Sequence, residues 1–103
     1  MGLTISVVDE RGKEVVSPVL DPRNVLRSLL PQEGDESYPL LRYIDPYGDT
    51  IFNQAQVAAL LEEWARIKQR AKLEEQQVIV NSIAHLAQFC LEHLHTYLKF
   101  VGD

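Results

Sequence analysis

The chain predicts an α+β domain: a mostly antiparallel sheet of two hairpins plus a C-terminal strand, covered on one face by helices. Three observations carry that expectation. The pattern apolar-Asp-x-x-Gly-polar occurs at Val8–Lys13 and again at Ile44–Asp49. Two apolar stripes at helical spacing run through residues 57–71 and 79–94. An alternating, aromatic-rich segment, residues 96–101, follows them.

Each Asp-x-x-Gly pattern predicts a tight turn. Asp suits the first turn position, where its side chain bonds the backbone ahead, and Gly suits the left-handed position that follows. A type I turn with a bulge closes many hairpins. Pro46 strengthens the second case, because its fixed φ belongs at the second turn position. The hairpins expected are Leu3–Val8 with Lys13–Ser17, and Leu40–Ile44 with Asp49–Phe52. Between them, Asp21-Pro22 predicts the start of a short helix bearing Val25, Leu26, Leu29 and Leu30, stopped by Pro31. Residues 31–37 are polar with Pro and Gly and predict an exposed loop.

Asn53 predicts a cap for a long amphipathic helix. Val57, Leu60, Leu61, Trp64, Ile67 and Ala71 share one stripe, and Glu62, Glu63, Arg66, Gln69 and Arg70 fall on the other face. The second stripe holds Ile79, Ile83, Leu86, Ala87, Cys90 and Leu94. A single straight helix over 54–94 would turn its apolar direction by about 110° and extend about 60 Å, several times a radius of gyration of ~13 Å for this length. A break near residues 71–76 follows, although no Gly or Pro marks it. An unbroken helix would need a second copy to bury its stripe, and a homodimer would follow from that.

Composition narrows function more by exclusion than by pattern. The 103 residues, 46% apolar and 24% charged, make one domain, 1–103. Ten Lys and Arg against fifteen Asp and Glu leave a net charge of -5. That balance argues against nucleic-acid binding, which depends on neutralising phosphates. No window reaches the ~18 apolar residues of a membrane span, and the N-terminal run lacks the basic start of a secretory signal. With Cys90 as the one cysteine, a cytoplasmic location is expected.

Candidate chemistry centres on His85, Cys90, His93 and His95. They raise the alternative of a small metal- or thiol-dependent enzyme. Helical projection puts Cys90 in the core stripe, His93 at its boundary and His85 in solvent, so the four do not converge as a tetrahedral site requires. No metal or other cofactor is expected. Asp45, Asp49 and Asn53 are spaced too widely for a dedicated calcium loop, which packs its oxygen ligands at alternate positions. What remains is the segment Tyr38–Asp49, with three tyrosines, Arg42 and two aspartates on one predicted hairpin. Tyr and Arg combine contact area with directed hydrogen bonds, as binding hot spots require. Arg42, Tyr43, Asp45, Tyr47 and Asp49 are the candidate partner-binding residues.

The runs Leu41–Asn53 and Tyr97–Asp103 are similar to those of small bacterial proteins of unknown function, which in size and charge resemble toxin-neutralising immunity proteins. The resemblance covers about a fifth of the chain and carries no catalytic residue. It implies a cytoplasmic binding protein. The function expected is therefore a non-enzymatic protein-binding module, an inhibitor or immunity-type protein that occludes a toxin or enzyme with a basic surface. A homo-oligomeric structural module joined through its helices is the third alternative.

Overall fold

A computed structural model describes residues 2–102. The chain runs β1 (Thr4–Val8), β2 (Val19–Leu20), two single-turn 3-10 helices (Leu26–Ser28 and Leu41–Tyr43), β3 (Asp49–Phe52), α1 (Gln54–Arg70), α2 (Glu74–Glu92) and β4 (Tyr97–Val101). The α+β class is as predicted. The four strands form an antiparallel sheet in the order β2-β1-β4-β3, so the first and last strands pair at its centre. Alternation along each strand sends Ile5, Val7, Phe52, Leu98 and Phe100 to the helix-facing side, all buried. Register sets Ile5 beside Phe100 and Val7 beside Leu98, and the Phe52 and Phe100 rings meet edge to face at 5.9 Å.

The two helices pack on that face as an antiparallel pair. Val57, Leu60, Trp64 and Ile67 of α1 meet Ile79, Val80, Ile83, Ala87 and Cys90 of α2 in one core. The break falls between Arg70 and Glu74, as the rotated stripes predicted. Glutamines do the work that Gly or Pro usually does. The Gln76 side-chain oxygen accepts from the N–H groups of Lys72 and Leu73, both at 3.1 Å, and the Gln77 amide donates to the Ala71 carbonyl at 3.2 Å. Asn53 caps α1 as expected: its side chain accepts from the Gln56 N–H, and the Gln56 side chain returns the bond to Asn53. Because the helix is broken, the ground for expecting a homodimer from a protruding helix is gone.

Five local expectations need correction. The Asp9 turn forms as drawn: its Oδ1 accepts from Arg11 and Lys13 N–H, and Gly12 takes φ 82°. The return arm, however, is not Lys13–Ser17. It makes one bridge, Val8 to Glu14, leaves the sheet, and rejoins β1 as Val19–Leu20. Val15 and Val16 interrupt the alternation there, and Pro18 has no N–H for a ladder. The second hairpin does not form. Leu40–Ile44 is not a strand; its centre is the 3-10 turn Leu41–Tyr43, and β3 pairs with β4 instead. Glu63 decides this. Expected on the solvent face of α1, it is buried, and its carboxylate accepts from the N–H groups of Leu40 and Leu41 at 3.0–3.2 Å. Donors that a strand would have offered to β3 are thereby used.

The helix expected from Asp21-Pro22 shortens to the turn Leu26–Ser28. Buried Asp21 still caps, but its two oxygens accept from Val25 and Leu26, past a left-handed Asn24 at φ 55°. Leu94, assigned to the second stripe, lies beyond the end of α2 and is 77% exposed.

Candidate functional site

The five candidate residues lie on one continuous stretch that is held from three sides. Glu63 anchors its start through Leu40 and Leu41. Asp45 shapes its middle: Oδ1 accepts the Tyr47 N–H at 2.8 Å, and the Asp45 N–H donates to the Thr50 hydroxyl at 3.0 Å. The residue just after β4 pins its end, where the Gly102 N–H donates to the Gly48 carbonyl at 2.7 Å. A Cβ at Gly102 would lie 2.6 Å from the backbone of Pro46 and Gly48, so only glycine permits this approach.

On that frame Tyr43 and Tyr47 are 63% and 72% exposed. Arg42 is half-buried. Its guanidinium lies 4.9 Å from the centre of the Tyr43 ring, and Nη2 donates to the Tyr43 hydroxyl at 3.1 Å. Its Nε is enclosed and meets no acceptor among the described residues. Asp49 opens β3 and pairs with Lys99 at 3.6 Å. Both aspartates are thus engaged within the molecule, although their carboxylates are exposed. The third tyrosine of the segment, Tyr38, is not in the cluster. It is buried under the guanidinium of Arg66, 4.2 Å from its ring.

A cleft of about 920 Å³ runs between this stretch and residues 24–34. Arg42, Tyr43, Asp45 and Tyr47 line one side, and Arg27 and Leu30 are among those lining the other. Sequence reasoning missed the second wall. Arg27 stands fifteen positions before Arg42 with no motif linking them, so only the folded chain brings them together. A smaller hollow of about 500 Å³ lies between β2 and the start of α2, lined by Leu20, Pro22, Val78 and Ile79, with the Arg23–Glu75 ion pair at 3.4 Å beside it.

The four Cys and His candidates do not assemble. Cys90 is fully buried, and its sulfur accepts from the Thr96 hydroxyl at 3.5 Å. Burial pushes the thiol pKa up, partly offset by that hydroxyl, which is opposite to what a nucleophilic thiolate needs. His93 stacks on Phe89 at 3.7 Å and places Nδ1 2.8 Å from the Phe89 carbonyl. His95 faces Glu10 at 3.7 Å, and His85 is exposed. Among the described residues no three His, Cys, Asp or Glu side chains are placed to share a metal ion, and no helix is long and apolar enough to cross a membrane. No protein-family model, no curated protein and no solved structure matches the chain.

Proposed function

We propose that the chain is a non-enzymatic protein-binding module acting in the cytoplasm. Its most concrete form is an inhibitor or immunity-type protein that occludes a toxin or enzyme with a basic surface. The observation that carries this is the pair Tyr43 and Tyr47, two large aromatic side chains held outward on a stretch anchored at both ends. Anchoring removes much of the ordering cost that a loose loop would meet on binding. Tyrosines with few freely rotating bonds then bring contact area at low entropy cost.

The charges have a narrower role than contact pairing. Asp45 and Asp49 already serve the turn and Lys99, so they act on a basic partner mainly through their field. A net charge of -5 supports faster encounter with such a partner. Occlusion itself falls to Arg42, Tyr43 and Tyr47.

Pull-down from the native host tests the proposal. Wild-type bait is expected to recover a specific partner protein, with recovery reduced by Tyr47→Ala more than by Asp49→Ala. Recovery of no protein, or equal recovery by wild type and Tyr47→Ala, counts against it.

A further inference from the structure

The geometry points to a carboxylate-binding site in the cleft beside the Asp45 turn, with the Nε/Nη2 edge of the Arg42 guanidinium as its receptor. That edge of a guanidinium presents two N–H groups side by side, spaced to meet both oxygens of one carboxylate. At Arg42 one nitrogen of that edge has a partner and the other has none. Nη2 donates to the Tyr43 hydroxyl at 3.1 Å, while Nε–H is enclosed without an acceptor among the described residues. An enclosed donor on a charged group has lost water and gained no partner, a combination that folded proteins avoid. The neutral Tyr43 oxygen is the acceptor that a carboxylate oxygen would replace at Nη2. Its ring covers the same guanidinium, and its exposure leaves it room to swing aside.

The rest of the cleft sets the ligand class. Arg27 lines it and has no ion-pair partner among the described residues. Two acids also line it. Asp45 is turned into its own loop by the Tyr47 N–H, and Glu33 is exposed on the facing loop. Leu3, Leu30 and Ile44 add apolar wall. The ligand is accordingly a carboxylate carried on an apolar group, in a cleft whose volume matches small-ligand sites of about 300–1,000 Å³. This goes beyond the partner-binding proposal and does not need it: the same edge accepts a carboxylate from a free molecule or from a peptide.

Nuclear magnetic resonance of the ¹⁵N-labelled full chain tests the site directly. The Arg42 Nε–H resonance is followed while N-acetyl-phenylalanine is added, with its uncharged amide as control. A third titration uses the capped peptide acetyl-Phe-Glu-Phe-amide, which offers only a side-chain carboxylate. A saturable shift with the acid or the peptide, and none with the amide, is the expected result; the tighter of the two names the source. Arg42→Lys keeps the charge but loses the paired donors, and is expected to weaken binding by about tenfold. Tyr43→Phe removes the competing hydroxyl and is expected to leave binding unchanged or tighter. An unmoved Nε–H resonance, an equal response to acid and amide, wild-type binding by Arg42→Lys, or weaker binding by Tyr43→Phe overturns the inference. If Arg42→Lys does not fold, the wild-type resonance and Tyr43→Phe still decide it.

Discussion

At Glu63 a residue that sequence position assigns to the solvent face of α1 is enclosed, and its oxygens serve the backbone of a segment more than twenty positions earlier. Glu63→Ala would leave the Leu40 and Leu41 N–H groups without acceptors and is expected to cost about 2–3 kcal/mol. Glu63→Gln keeps one acceptor oxygen and is expected to lose less. Urea unfolding of both variants checks this, and an alanine variant as stable as wild type would show that the carboxylate is not what holds the turn. Asp9 offers a test by pH. The N–H groups of Lys13 and Arg11 hold its carboxyl below the usual carboxylate range. A pKa lowered by folding stabilises the fold above the unfolded value of about 3.9 and fades as pH falls through the lower folded value. The stability gap between wild type and Asp9→Ala is therefore expected at pH 6 and should narrow below about pH 4. A gap that is constant from pH 6 to pH 2.5 contradicts this assignment.

Among the elements, the helix pair follows most directly from sequence. Its stripes, its Asn53 cap and its break are each local properties: periodicity, a single polar side chain, and a rotation of the apolar direction. The means of the break was not legible, because glutamine is an ordinary helix residue and only its placement at Gln76 and Gln77 makes it a staple. Gln76→Ala removes the acceptor for two N–H groups and is expected to lower stability by about 1 kcal/mol, against alanine's better helix propensity. Thermal melts followed by circular dichroism decide it, and an unchanged or raised melting temperature would place the hold elsewhere. The hairpins are legible in the sequence at their turns and not in their pairing. The chain turns at both Asp-x-x-Gly segments, because a turn depends on four or five adjacent residues, but only Gly12 takes the left-handed φ expected of the glycine, and Gly48 does not. Their flanks pair differently, because a strand's partner depends on which donors remain free and which side chains must be buried.

Across the whole molecule, the sheet joins its first and last strands at the centre, so the core closes only when residues 4–8 and 97–101 meet. Pairing over such a separation is costly in loop entropy and slow compared with local structure. Deletion of residues 97–103 separates β1 from β3 and is expected to abolish cooperative folding, with the far-ultraviolet signal reduced to residual helix. A truncated chain that still unfolds in one sharp transition would show that the helices and β1 form a core without β4. The cleft belongs to this scale as well. Its walls come from residues 24–34 and 42–47, and the second wall is held at its two ends, by Glu63 of α1 through Leu40 and Leu41 and by Gly102, just after β4, through Gly48.

Local order along the chain was sufficient to specify the class of fold, two helices with a break between them, the Asp9 turn and the exposure of Tyr47 at a turn, since each depends on neighbours within about one helical turn or one hairpin bend. Strand pairing, the 3-10 turn at Leu41–Tyr43, the burial of Glu63 and the placing of Arg27 and Arg42 along one cleft were settled only by the packed chain. They are contests among distant groups for a limited set of hydrogen-bond partners and a single apolar interior, and no short window of residues contains all the contestants.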